Sequence, residues 1–90
     1  MPRYIRSSQF KKSFRSLPKH VQDKAIKAFE LFKKDPFHPS LRTKPIKGIS
    51  GKRKIYEGYI DYYWRFTFEI IDDGFYFRNI GPHDITKSEL

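Results

Sequence analysis

Residues 63–80 read YWRFTFEIIDDGFYFRNI. From Tyr63 to Ile71 apolar and polar side chains alternate, which sends Trp64, Phe66, Phe68 and Ile70 to one face of a strand and Tyr63, Arg65, Thr67 and Glu69 to the other. Asp73-Gly74 is a two-residue hairpin signal, and Phe75 to Ile80 reads as the returning strand. Such a loop sets Glu69 opposite Arg78, Thr67 opposite Ile80 and Arg65 opposite Pro82, with His83 beside Arg65. The hairpin has one apolar face and therefore needs a cover.

Upstream, Lys54 to Ile60 is rich in Ile and Tyr and reads as a strand that turns at Asp61-Tyr62. The cover comes from the N-terminal part. After a short β-prone run at Tyr4-Ile5-Arg6, Ser7 or Ser8 is a candidate N-cap, and Phe10, Phe14 and Leu17 recur at helical spacing. Pro18 breaks that helix and opens a second one running to Lys34, with a buried stripe of Val21, Ala25, Ala28, Phe29 and Phe32. Asp23 to Lys27 and Glu30 to Lys34 are acid-first i to i+4 pairs on its outer face. Asp35-Pro36 ends it. The expected architecture is α+β in two layers, with two N-terminal helices on one face of an antiparallel sheet of about four strands, in a single domain over residues 1–90.

Composition bounds the chemistry. Ninety residues exclude a TIM barrel or a full dinucleotide-binding fold. Without cysteine there is no disulfide framework, thiolate metal site or cysteine nucleophile. No apolar run approaches the roughly 20 residues of a spanning helix, so the sequence reads as a soluble cytoplasmic protein without a membrane partner. The formal charge is +9, and it is unevenly distributed: residues 1–54 hold 16 Lys and Arg against 3 Asp and Glu, whereas residues 55–90 hold 3 against 7. A block of that sign suits a polyanion, or equally an acidic protein.

Arg65 and His83 are the pair that points to chemistry. A guanidinium can hold a phosphodiester bidentately, and an imidazole can transfer a proton near neutral pH. An RNA 2′-hydroxyl then supplies the nucleophile, with no metal or cofactor. The competing reading is that Arg65 pairs with Glu69 or Asp84 and His83 is an ordinary surface residue. Lys44, Lys47, Lys52, Arg53 and Lys54 form a cationic approach to this site, with Arg78 on the same hairpin. Tyr56, Tyr59, Tyr62, Tyr63 and Tyr76 are either stacking platforms for bases or core and edge residues. His20 and His38 lack partners at metal-ligand spacing.

Several phrases, taken in order, resemble the RelE/ParE superfamily of bacterial toxins: Phe14-Arg15-Ser16-Leu17-Pro18, Asp35-Pro36 with Pro39-Ser40-Leu41, and Ile46-Lys47-Gly48. Tyr63-Trp64-Arg65-Phe66, Asp72-Asp73-Gly74 and Ile80-Gly81-Pro82-His83-Asp84 continue the likeness, which covers essentially the whole chain. Its ribonuclease branch implies an endoribonuclease that cleaves mRNA in the ribosomal A site and leaves a 2′,3′-cyclic phosphate. There Arg65 would contact the reacting phosphate, His83 would assist proton transfer or charge stabilisation, and Lys52 and Lys54 would bind RNA. Glu57 is a candidate base, because some members use a carboxylate. The resemblance also implies a cognate antitoxin that wraps the toxin with an acidic or amphipathic segment. The chain departs from many ribonuclease members in having no Tyr after His83. That leaves open the ParE branch, which poisons DNA gyrase, and an inactive toxin or a non-toxic nucleic-acid-binding module.

Overall fold

The computed structural model describes residues 2–47 and 54–89. Among them, strand β1 (Arg3–Arg6) leads into helix α1 (Ser8–Arg15) and helix α2 (Lys19–Lys34). A 3-10 turn (Pro39–Leu41) and a two-residue strand β2 (Lys44–Pro45) follow, then β3 (Ile55–Tyr59), β4 (Trp64–Ile71), β5 (Gly74–Pro82) and a C-terminal 3-10 helix (His83–Glu89). The described strands form one sheet in the order β1-β5-β4-β3-β2. It has five strands rather than about four, and it is mixed: β1 runs parallel to β5 while the rest is antiparallel. A parallel neighbour leaves no hairpin signal; here both helices and three other strands lie between β1 and β5 in the chain.

Local chemistry sets the helix bounds. The Ser7 hydroxyl accepts the Phe10 amide at 2.9 Å, capping α1. The Gln22 amide reaches back to the carbonyls of Phe14 (3.0 Å) and Leu17 (3.3 Å), satisfying acceptors that the end of α1 leaves unpaired. Asp35, extended before Pro36, ends α2. On the outer face, Asp23 pairs backward with Lys19 at 2.7 Å instead of forward with Lys27.

The helices cover one face of the sheet. Phe32 is fully buried, its ring 4.9 Å from those of Phe68 and Phe75 and 5.2 Å from Phe77. Phe10, Leu17, Val21, Ala25, Leu41, Phe66 and Ile80 complete the cluster. Ile70 lies on the same side but is 46% exposed, beyond the cover of the helices.

The hairpin departs from its expected register. Its loop is Asp72-Asp73, with Ile71 opposite Gly74. Gly74 belongs to the strand because β1 crosses it so closely that a Cβ would strike the Arg3 backbone. A bulge between Thr67 and Phe68 then leaves Arg78 as the extra residue of β5, so that Thr67 faces Asn79 and Arg65 faces Gly81 rather than Pro82. Phe77 and Ile80, three apart, can therefore both point into the core, and Ile80 lies opposite Phe66 rather than Thr67.

The second face of the sheet is not open throughout. The C-terminal 3-10 helix folds back over β4 and β5. Ile85 packs onto Gly81 closely enough to leave no room for a Cβ, and Thr67 is fully buried with its hydroxyl unpaired.

Candidate functional site

The turn between β3 and β4 organises one end of the sheet. Asp61 begins it, as aspartate does when its side chain can accept amides two and three residues on. Its carboxylate accepts Tyr63 N–H and Trp64 N–H, each at 2.9 Å, and Lys24 of α2 at 3.0 Å. Burial pushes this carboxyl up, but the Tyr63 amide, Lys24 and the Trp64 amide outweigh it and hold the group below its ordinary value.

Arg65 follows immediately. Its Nη1 donates to the carbonyls of Asp61 and Trp64, the latter at 2.9 Å. Its guanidinium carbon sits 4.6 Å from the ring centre of Tyr59, its cross-strand partner on β3. Arg42 approaches the same ring to 4.3 Å. It follows the 3-10 turn that His38 caps by accepting the Ser40 amide on Nδ1 (3.1 Å), and it has a left-handed backbone, φ 45. Such a conformation costs a non-glycine residue about 1–2 kcal/mol, so its surroundings must hold it there.

The other expected site residues occupy several settings. His83 is exposed; its amide donates to the Tyr63 carbonyl at 2.6 Å and its ring meets Tyr63 edge-on at 5.6 Å. It therefore sits against the β3–β4 turn, two residues past Gly81, the partner of Arg65. Glu57 lies on the same sheet face as Tyr59 and Arg65, half-buried, and pairs with Lys44 at 3.8 Å. Arg78 is half-buried and joined to Glu69 at 3.3 Å. Lys47 and Lys54 are exposed, and Lys52 and Arg53 lie outside the described residues. Tyr56 stacks on Phe68 and belongs to the core side, while Tyr62 is exposed.

Arg42 was not singled out by sequence reasoning, and Asp61 only as the start of the turn between two strands. Asp61 carried a readable signal, an aspartate opening a turn before a strand. Arg42 carried none, since its position depends on a left-handed residue after a 3-10 turn. Among the described residues no group of three His, Asp or Glu side chains gathers as metal ligands would, and no helix is long and apolar enough to cross a membrane.

Two clefts lie away from this end, against α1, α2 and β1. One, of about 380 Å³, is floored by Tyr4, Phe10, Phe29 and Phe32 with Arg6 and Lys33 at its rim. The other, of about 430 Å³, is lined in part by Phe14 and Ile26 with Lys11 and Arg15. Neither includes Arg65 or His83.

The sequence matches no protein-family model and no curated protein. Solved structures match it closely in shape. YafQ from Escherichia coli superposes with a TM-score of 0.73 at 15% identity, over 94% of this chain and 97% of that one. The chain has the RelE/ParE toxin fold. Archaeal RelE from the RelE–RelB complex of Pyrococcus horikoshii gives 0.70 at 17% identity, covering 90% of this chain and 93% of that one. The YoeB/ParE toxin from Agrobacterium tumefaciens gives 0.71 at 14%, covering 90% and 98%. Within this RelE/ParE fold, the β3–β4 turn end gathers Arg42, Tyr59, Arg65 and, against Tyr63, His83.

Proposed function

We propose that the chain is the toxin of a type II toxin–antitoxin module and acts as an endoribonuclease on mRNA at the ribosome. The observation that carries this reading is Arg65, a half-buried guanidinium held by a ring and two carbonyls at the end of the sheet where His83 begins the final turn.

Cleavage of RNA by its own 2′-hydroxyl needs an acceptor for that proton, positive charge on the phosphate oxygens and a donor to the departing oxygen. The 2′-oxygen bonds to phosphorus as the bond to the 5′-oxygen breaks, giving a cyclic phosphate and a free 5′-hydroxyl. Arg65 stabilises the charge that gathers on phosphorus. Protonated His83 delivers its proton to the 5′-oxygen, and Glu57, on the face shared with Tyr59 and Arg65, receives the proton of the 2′-hydroxyl. Lys44, Lys47, Lys52, Arg53 and Lys54 attract the RNA backbone. Arg78, already paired with Glu69, contributes to the hairpin rather than to RNA.

The partner of this reading is an antitoxin whose acidic, amphipathic segment suits the basic-rimmed clefts on the helical side. The archaeal RelE that shares this fold was solved with RelB.

The test incubates purified protein with ribosomes and a translated mRNA and maps new 5′ ends by primer extension. Arg65→Gln and His83→Gln should each lower cleavage by about 100-fold or more, as loss of one charge-stabilising or proton-transferring group does. Full cleavage by both variants would remove the site assignment. Intact mRNA together with blocked DNA supercoiling would replace this reading with gyrase inhibition.

A further inference from the structure

Among the described residues several cations are held by carboxylates and a few by aromatic rings, Lys33 over Tyr4 at 5.6 Å among the latter. Arg3, Lys19, Lys24, Lys44 and Arg78 each meet a carboxylate, those of Asp73, Asp23, Asp61, Glu57 and Glu69. Arg42 and Arg65 do not: among the described residues neither has a carboxylate partner, and both rest on the ring of Tyr59, at 4.3 and 4.6 Å. An aromatic face attracts a guanidinium without cancelling its charge and leaves its edge N–H groups available. A carboxylate in the same place would fix the side chain just as well and would repel an incoming phosphate.

We infer that Tyr59 is a positioning residue that builds a two-arginine clamp for the RNA phosphodiester backbone, with Arg42 as its second arm. The inference rests on the endoribonuclease reading and adds to it a residue from a different part of the chain. Arg65 is fixed from β4 by backbone carbonyls, whereas Arg42 arrives from the 3-10 turn in a left-handed conformation. The ring of Tyr59 is a contact they share. Each arm faces either the same phosphate or its neighbour along the strand, so the clamp aligns the RNA before any proton moves.

The experiment measures binding of a short single-stranded RNA against salt, together with thermal stability and ribosome-dependent cleavage, for wild type, Tyr59→Phe, Tyr59→Leu and Arg42→Gln. A guanidinium contact to a single strand contributes about 0.7 to the slope of log K against log salt. Tyr59→Leu should weaken RNA binding about tenfold and flatten the slope by about 0.7 or more, whereas Tyr59→Phe, which keeps the ring, should retain both. Arg42→Gln should flatten the slope by about 0.7 alone and add little to Tyr59→Leu. A merely structural tyrosine would lower the melting temperature without moving the slope. An unchanged slope in Tyr59→Leu, or Phe behaving as Leu, overturns the inference. If Tyr59→Leu does not fold, an unchanged slope in Arg42→Gln overturns it alone. Wild-type protein that neither binds nor cleaves RNA refutes the endoribonuclease reading itself, whereas active wild type with unmoved slopes refutes only the clamp.

Discussion

Replacing Asp61 tests whether one carboxylate holds the turn that carries Arg65. The wild-type side chain accepts two backbone amides at 2.9 Å and a lysine at 3.0 Å. It is 20% exposed and Lys24 52%, so solvent screens the ion pair. An exposed pair of this kind contributes about 0.2–1 kcal/mol. The amide bonds to a charged acceptor contribute about 1–2 kcal/mol each in this half-exposed setting, and loss of the pair is softened because the Tyr63 amide can rehydrate. Asp61→Ala should therefore cost about 2–3 kcal/mol, and Asp61→Asn, which keeps an accepting oxygen but no charge, about 1 kcal/mol. In a domain of this size the alanine change should lower the melting temperature by about 10 °C or more.

The same residue has a pH signature. Its carboxyl lies below the ordinary value of 3.8 in the folded chain, with burial opposed by the Tyr63 amide, Lys24 and the Trp64 amide. A depressed carboxyl stabilises above the unfolded value and loses that contribution as pH falls through the folded one. The gap between wild type and Asp61→Asn should thus be constant near neutral pH and shrink once the pH drops below 3.8. Urea unfolding across that range measures it. A gap of the same size down to about pH 2 would refute the electrostatic part, and an Asp61→Ala cost below about 0.5 kcal/mol would refute the turn's dependence on the side chain.

Phe32 is in ring contact with four sheet residues, and Phe32→Ala should destabilise by about 3–5 kcal/mol in chemical denaturation. Gly74→Val should cost about 2 kcal/mol or more, because its side chain would have to displace β1 from the Arg3 backbone; a stability equal to wild type would exclude the close approach. Arg78→Gln should lower stability while leaving the salt slope of RNA binding unchanged, since its charge is already opposed by Glu69. An acidic amphipathic peptide should bind the clefts and lose affinity when Arg6 and Lys33 are both replaced by Gln, measured by titration calorimetry.

The layering was legible because it rests on short-range rules: helical spacing from Phe10 to Phe32, a break at Leu17-Pro18 and alternation from Trp64 to Ile70. What failed was register, and the cause is not local. Asp73-Gly74 is a strong turn signal in isolation, yet Gly74 is required by β1, more than sixty residues away in the chain, and the loop moves to Asp72-Asp73. The bulge at Arg78 did leave a trace. Phe75 and Phe77 keep a period of two, and Ile80 breaks it, so three apolar residues at that spacing can share a face only if one residue between them is extra.

The candidate site was half legible for a related reason. Arg65 stood out as a cation inside an alternating strand, but what makes it useful is how it is held. A strand residue with polar neighbours on its own face ordinarily finds a carboxylate, and Glu69, on that face, was the obvious one. Glu69 meets Arg78 instead, whose guanidinium lies 3.3 Å away, and the turn at Asp61 turns its carboxylate toward Tyr63, Trp64 and Lys24 while offering Arg65 only its carbonyl. Two nearby acids are thus satisfied elsewhere, and Tyr59 takes the place they would have filled. The guanidinium of Arg65 rests on a ring and two carbonyls, partners that hold it in place without opposing its charge.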